Sequence, residues 1–169
     1  MSAADGHIEE STAIITARSD AIVAKIGLVL GSGLSSFADS IDNPIIIPFD
    51  DLPGFPKPAV SGHEGRLVLG TVGGTSVAIM QGRTHYYEAA DAEVMKVPIQ
   101  TLKSLGCEAV VLTNAAGSLN PNAGPGSVML ISDHINFMGV SPLFGEVGNG
   151  RFVDMTNAYD KGFLNEFKS

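Results

Sequence analysis

The sequence has little or none of several residue types on which whole classes of proteins depend. Its 169 residues include no tryptophan and a single cysteine, Cys107, so a disulfide framework within the chain is excluded. Cations are also scarce, with 10 Lys and Arg against 18 Asp and Glu and a formal net charge of -8. Nucleic-acid binding needs a basic stripe, and this charge balance argues against it. An anion bound by this chain must therefore be held locally, by a few cations and backbone N–H groups.

Long hydrophobic runs and targeting signals are absent as well. The apolar run 22–30 is broken by Lys25 and is far too short to span a bilayer. The first ten residues carry acidic side chains and no basic segment before an apolar core, so no signal peptide is evident. The cysteine follows Leu105 and Gly106, a context typical of a small buried thiol rather than a nucleophile. We expect a soluble cytoplasmic protein with no membrane partner.

What the sequence does contain indicates a globular α/β protein. Hydrophobic residues make up 44% of the chain and charged residues 17%, with 20 glycines, and no repeat or low-complexity linker is present. The length fits one domain, and we predict a single domain over 1–169 without an internal boundary. Residue patterns predict helices over 8–24, 34–40, 91–105 and 157–168, a loop over 139–151, and strands over 26–30, 45–49, 66–70, 75–80, 109–112 and 128–131. Alternating helices and short buried strands, with a hairpin at Gly73-Gly74, predict a mixed sheet flanked by helices.

The most informative segment is Gly82-Arg83-Thr84-His85-Tyr86-Tyr87-Glu88, which follows an apolar strand. The guanidinium of Arg83 suits a phosphate or carboxylate group, because its planar fork donates two parallel hydrogen bonds. His85 can share a proton near neutral pH, and Glu88 can fix that imidazole. The segment therefore predicts a site for an anion beside a sugar, with a solvated polar loop as the alternative.

Three further segments also follow strands or loops where ligands are commonly bound. Gly31-Ser32-Gly33 offers backbone N–H groups and a hydroxyl at a predicted helix start, although an ordinary turn would look similar. Ser61-Gly62-His63 places an imidazole in a Pro-rich loop, and Thr113-Asn114-Ala115-Ala116-Gly117 places small residues after a buried strand. Because the carboxyl ends of strands are where open α/β sheets bind ligands, the agreement among these segments matters more than any one of them.

Two other interpretations of the same residues are weak. Gly31-x-Gly33-x-x-Ser36, followed by Asp50 or Asp51, approaches a dinucleotide-binding fingerprint but lacks its third glycine. His63, His85 and His134, with nearby carboxylates, have no compact metal-ligand spacing such as H-x-x-x-H. We therefore expect no metal.

Taken in order, five motifs closely resemble the trimeric class of purine nucleoside phosphorylases. They are Gly31-Ser32-Gly33-Leu34, Ser61-Gly62-His63, Gly82-Arg83-x-His85-x-Tyr87-Glu88, Thr113-Asn114-Ala115-Ala116-Gly117 and Asp133-His134-Ile135-Asn136. The resemblance implies a nucleoside phosphorylase-like fold, incomplete at its C-terminus. It also implies a homotrimer that cleaves purine nucleosides with inorganic phosphate as co-substrate and no cofactor.

The resemblance also implies a role for each matching residue. His85 and Glu88 would be catalytic, with Glu88 orienting His85, and Tyr87 would lie against the ribose. The implied phosphate-binding residues are Ser32, His63, Arg83, Thr84, His85 and Ala115.

The departures from the family pattern limit what is implied. Ala89 stands where the family often has glycine, and Gly148 lies near the place of an aromatic residue that family trimers lend to a neighbouring subunit. Family chains continue well beyond this length, and their later portion supplies the purine-recognising residues. We therefore expect the amino-terminal portion of a purine nucleoside phosphorylase; the alternatives are a non-catalytic phosphate-binding remnant and a methylthioadenosine phosphorylase.

Overall fold

The computed structural model describes residues 3–57 and 64–168, which fall into two compact units. The first unit is Met1–Ala115 and contains the five strands found among the described residues, and the second is Ala116–Ser169. The single domain over 1–169 stays a prediction.

The first unit is built on one mixed sheet with the spatial order β2-β3-β4-β1-β5. Strand β4 pairs parallel with β1, which pairs parallel with β5, whereas β2 with β3 and β3 with β4 are antiparallel. The mixed α/β sheet predicted from the sequence is confirmed. Its strands are β1 (Ile26–Val29), β2 (Asp42–Pro48), β3 (Arg66–Val72), β4 (Thr75–Gln81) and β5 (Ala109–Leu112).

The predicted hairpin joins β3 to β4 through Gly73 and Gly74. Both glycines have positive φ, 56° and 79°, as a two-residue turn between twisted strands requires. The pairing runs from Val72 opposite Thr75 to Arg66 opposite Gln81 without a register shift. The turn thereby fixes which side chains of the two strands face each other, including the last pair.

The first unit also contains helices. They are α1 (Ala3–Arg18), α2 (Tyr86–Ala89) and α3 (Lys96–Ser104), with 3₁₀ helices at Ser35–Ser40 and Phe49–Asp51. The second unit contains α4 (Lys161–Glu166) and a 3₁₀ helix at Asn149–Arg151. One buried cluster joins Ile15 of α1 and Leu102 of α3 to Leu67 and Met80 of the hairpin. A second cluster includes Val77, Ile79 and Ala38, so it brings the 3₁₀ helix Ser35–Ser40 against β4. Both faces of the sheet centre are thus covered, which is why its strands are apolar on both sides.

The first helix differs from its predicted span of 8–24. It begins at Ala3 and ends at Arg18, because Asp20 and Ala21 adopt positive φ values of 49° and 59°. The Ala21 N–H donates to the Thr16 carbonyl at 3.0 Å, a six-to-one bond that closes helix C-termini. The predicted span of 8–24 therefore continues past the end of the helix.

The later helices are shorter than predicted. Helix α3 covers Lys96–Ser104 rather than 91–105, and Pro98 lies in its first turn, where a missing N–H costs nothing. Helix α4 covers Lys161–Glu166 rather than 157–168, because the Asp160 carboxylate caps its start by accepting from the Phe163 N–H at 2.9 Å.

The predicted strand over 128–131 is wrong. These residues lie in the second unit without strand pairing to any described residue, and Val128 and Met129 are 89% and 74% exposed. A run of β-branched and apolar residues forms a strand only when a neighbouring strand satisfies its backbone. Among residues 3–57 and 64–168, no helix is long and apolar enough to cross a membrane.

Candidate functional site

The candidate site lies at one edge of the sheet in the first unit. Because β1, β4 and β5 are parallel neighbours, their carboxyl ends meet there. The segments beginning at Gly31, Gly82 and Thr113 follow these three ends. The structure therefore brings together three of the motifs singled out in the sequence, at the position where open α/β sheets bind ligands.

Thr113 links the other two segments by hydrogen bonds. The Gly31 N–H donates to Thr113 Oγ1 at 2.8 Å, and this hydroxyl donates to the Val29 carbonyl at 3.2 Å. The Arg83 guanidinium donates through Nη1 to the Thr113 carbonyl. One residue thus holds both the glycine-serine loop and the cation of the candidate site.

The contact between Gly31 and the segment after β5 leaves no room for a side chain. A Cβ atom at Gly31 would lie 2.5 Å from the Thr113 carbonyl oxygen and 3.0 Å from the Asn114 Cα. These are backbone atoms, which cannot rotate away as a side chain does. Glycine at position 31 is therefore required by the close approach of two backbone segments.

Ser32 and Ala115 lie next to these hydrogen-bonded residues and are exposed. Ser32 follows Gly31 in the loop, and Ala115 follows Thr113 and Asn114. The Ser32 hydroxyl and the Ala115 N–H thus belong to segments whose positions Thr113 fixes. Neutral donors of this kind, beside one guanidinium, suit an anion in a protein of net negative charge.

His85 and Glu88 form a second, local group directly after Arg83. The Glu88 carboxylate oxygen Oε1 lies 2.7 Å from His85 Nδ1 and accepts from the His85 backbone N–H, also at 2.7 Å. The pair spans the start of α2, so one helical turn sets its geometry. A carboxylate at Nδ1 favours a proton on that nitrogen and fixes the plane of the ring. The orientation of His85 by Glu88, expected from the sequence, has this contact as its support.

Tyr87 stacks on the same imidazole. The two ring centroids are 4.9 Å apart with an interplanar angle of 14°. Tyr87 is 75% exposed, so most of its ring remains open to solvent. An exposed aromatic face beside His85 is suited to contact with a sugar.

Thr84 differs from its neighbours in being buried, with 8% exposure. Its Oγ1 has no hydrogen-bond partner among the described residues. Because a buried hydroxyl without a hydrogen-bond partner is costly, the Thr84 hydroxyl is a candidate to bind a ligand between Arg83 and His85 in the sequence. Its contact with phosphate stays a prediction.

The remaining sequence interpretations have different outcomes. His63, with Ser61 and Gly62, lies outside the described residues. The two carboxylates of the dinucleotide interpretation are both paired with cations, because Asp51 accepts from Arg18 at 2.6 Å and Asp50 pairs with Lys57 at 2.9 Å. Within the described ranges, no group of three His, Cys, Asp or Glu side chains is placed to hold a metal ion.

Two residues at the site edge were not singled out from the sequence. Thr113 belongs to the small-residue segment after β5, and Gln81 is the last residue of β4. The signal for both is a polar side chain directly after or at the end of an apolar run. Such residues need buried partners, which one sequence does not identify.

Comparison with known proteins agrees with these motifs. The model of the phosphorylase superfamily matches residues 25–169. Purine nucleoside phosphorylase 1 of Bacillus subtilis (strain 168) is 52% identical over 140 residues, covering 81% of this chain and 52% of the relative. Purine nucleoside phosphorylase of Mus musculus is 41% identical over 143 residues, covering 81% of this chain and 50% of the relative. The chain thus spans about half the length of the curated relatives it matches.

Solved structures give the same result for the fold. Isoform 2 of purine nucleoside phosphorylase from Schistosoma mansoni, in complex with cytosine and ribose-1-phosphate, superposes with a TM-score of 0.85 at 36% identity. The match covers 95% of this chain and 58% of that one. A second structure from Schistosoma mansoni, a complex with adenosine, gives a TM-score of 0.83 at 34% identity, covering the same shares. With motifs, fold and family model in agreement, the chain belongs to the phosphorylase superfamily.

Proposed function

We propose that the protein carrying this chain cleaves purine ribonucleosides and deoxyribonucleosides with inorganic phosphate. The products would be the free purine base and ribose or deoxyribose 1-phosphate, as in purine salvage. The observation that carries the proposal is the joining of the Gly31-Ser32 loop and Arg83 through Thr113, with His85 and Glu88 directly following. The similarity to purine nucleoside phosphorylases of Bacillus subtilis and Mus musculus supports the same reaction.

Phosphate is the anion that this geometry suits. Arg83 supplies a permanent positive charge, and the Ser32 hydroxyl and the Ala115 N–H supply neutral donors at the same sheet edge. We assign His85, Thr84 and His63 as further phosphate contacts. Tetrahedral phosphate has enough acceptor oxygens for this many donors.

The reaction needs positioning more than a strong acid or base. A phosphate oxygen forms a bond to the anomeric carbon while the glycosidic bond breaks. The electron pair of the glycosidic bond leaves with the purine, which takes up a proton. The sugar passes through a cationic, oxocarbenium-like state, which a phosphate dianion beneath the ring stabilises. Holding phosphate and sugar together contributes about 7–11 kcal/mol in favourable cases. Tyr87, stacked on His85, would form one wall of the ribose site. These steps need no organic cofactor or metal.

We further propose that these residues form the phosphate and ribose side of a site in one domain, in a cytoplasmic homotrimer. The chain matches about half of its relatives' length, so the base would be recognised by residues outside the matched half. The second candidate function is phosphate binding without catalysis by the 169 residues alone. Its basis is that the anion-holding residues all lie within Met1–Ala115.

The test is a coupled assay for hypoxanthine released from inosine, using protein expressed from the complete coding sequence. We expect turnover that depends on phosphate and yields ribose 1-phosphate. Release of hypoxanthine without phosphate would identify a hydrolase and refute the proposal. Titration calorimetry of the 169-residue chain with phosphate tests the second candidate, and tight binding of inosine by that chain would contradict it.

A further inference from the structure

The last residue of β4 is a buried glutamine that the proposed reaction leaves without a role. Gln81 is 1% exposed and follows the apolar run Val77 to Met80, two residues before Arg83. A buried amide is costly unless both its oxygen and its nitrogen are hydrogen-bonded. Its two partners therefore indicate what the residue is for.

Gln81 bridges a neighbouring strand and the glycine-serine loop. Its Oε1 accepts from Nε of Arg66 at 2.6 Å, and Arg66 is the residue directly opposite Gln81 on β3. Its Nε2 donates to the Ser35 carbonyl at 2.9 Å. Arg66 is itself held by an ion pair with Glu64 at 2.7 Å.

The chemistry of these partners allows only one orientation of the amide. A guanidinium donates and never accepts, so the amide oxygen must face Arg66. The amide NH₂ group then faces the Ser35 carbonyl, which accepts and cannot donate. The chain of hydrogen bonds from Glu64 to Ser35 is thus matched in polarity at every step and holds the Gln81 side chain in a single position.

The loop is consequently anchored at both ends. Gly31 donates to Thr113 Oγ1 at the start of the loop, and Ser35 accepts from Gln81 at its end. Ser32 lies between the two anchors, and Gln81 shares its strand with the segment leading to Arg83. A shift of one anchor would move the Ser32 hydroxyl relative to the guanidinium.

We infer that Gln81 is a positioning residue that sets the distance between the Gly31–Ser35 loop and Arg83 for phosphate binding. The inference rests on the proposed function, because it assigns the loop to phosphate. Gln81 touches no reacting atom in this scheme. Its effect should therefore appear in the KM for phosphate rather than in the KM for the nucleoside.

The test compares two substitutions at position 81 in protein expressed from the complete coding sequence. Q81M keeps the volume and removes both hydrogen bonds. Q81E keeps an acceptor for Arg66 but places an oxygen against the Ser35 carbonyl, so it breaks only the bond to the loop. T101V is the matched control, because Thr101 is also fully buried and its hydroxyl donates to the Val97 carbonyl at 2.9 Å inside α3.

We expect both Gln81 variants to raise the KM for phosphate about tenfold, the equivalent of one hydrogen bond. The KM for inosine and the kcat at saturating phosphate should stay within about twofold of the parent values. T101V should leave both KM values unchanged, which separates the removal of a buried side-chain hydrogen bond from the loss of positioning. Q81E keeps the test decisive if Q81M does not fold.

Other outcomes overturn the inference. A phosphate KM that changes no more in the Gln81 variants than in T101V would make Gln81 a core residue only. Equal increases in both KM values would indicate a general disturbance of the site. A parent protein with neither phosphorolysis nor phosphate binding would instead refute the proposed function, and the role of Gln81 with it.

Discussion

Replacement of Thr113 by valine tests the central hydrogen bond of the site. Valine has nearly the shape of threonine, so T113V removes the hydroxyl without opening a cavity. The Gly31 N–H, in a buried residue, then loses its acceptor at 2.8 Å. The Val29 carbonyl loses one donor but keeps the Thr113 N–H at 3.1 Å, so only Gly31 is left unsatisfied.

The structure gives an expected magnitude for this change. A buried donor left without a partner costs about 1–3 kcal/mol, and we expect the free energy of unfolding to fall by about 2 kcal/mol. T113S is the control, because it keeps the hydroxyl and removes one methyl group from a half-buried side chain. We expect a loss below about 0.8 kcal/mol for T113S, the value of one fully buried CH₂ group.

Urea unfolding of both variants measures the difference. The midpoints should separate while the dependence on urea concentration stays unchanged, since the same surface is exposed in each case. The KM for phosphate should rise in T113V and not in T113S, because the Gly31-Ser32 loop loses its first anchor. Equal stability of T113V and T113S would refute the reasoning, since it would mean that the Gly31 N–H does not depend on the hydroxyl.

Three further predictions concern other parts of the first unit. G31A places a Cβ atom 2.5 Å from the Thr113 carbonyl oxygen, whereas the Cβ atom of G117A meets no atom within 4 Å. The free energy of unfolding in urea should therefore fall several times more in G31A than in G117A, and equal decreases would contradict the close approach. E88A should lower kcat for phosphorolysis about 10- to 100-fold, the contribution expected of charge-assisted hydrogen bonds. E88Q should lower kcat less, because both bonds from His85 go to one carboxylate oxygen, which glutamine retains; equal decreases in the two variants would exclude this role for the retained oxygen. Burial raises the pKa of Cys107 from 9.0 to about 11, so its thiolate fraction at pH 8 should be about a hundredfold below that of a free thiol. Alkylation by iodoacetamide should therefore be slow in the folded protein and rapid in urea, and rapid alkylation of the folded protein would contradict this prediction.

The sequence predicted the parts of the fold that depend on local pattern. The Gly73-Gly74 turn specifies a hairpin because few other residues adopt positive φ twice in succession. The apolar runs before Gly31, Gly82 and Thr113 indicated strands, and the rule for ligand placement in α/β sheets then brought their ends together. The contact between His85 and Glu88 was predictable because the two residues are three positions apart, within one helical turn.

Features that depend on distant partners were not predictable in the same way. Gln81 and Ser35 are 46 residues apart, and nothing local in either segment indicates the other. The run 128–131 has the composition of a strand, but composition does not supply a neighbouring strand. The end of α1 was missed because Asp20 and Ala21 adopt a left-handed conformation that neither residue type signals.

The two halves of the candidate site differ in how far apart their residues are along the chain, and this has a consequence for folding kinetics. The contact between His85 and Glu88 closes within one turn, whereas that between Gly31 and Thr113 spans 82 residues. Short loops close in tens of nanoseconds, but a contact of such long range must wait for β5 to pair with β1. The imidazole-carboxylate pair should therefore form early in folding, and the Gly31–Ser35 loop should be anchored late. Phosphate added during refolding would bind only after the parallel sheet is complete, so it would slow unfolding without accelerating folding.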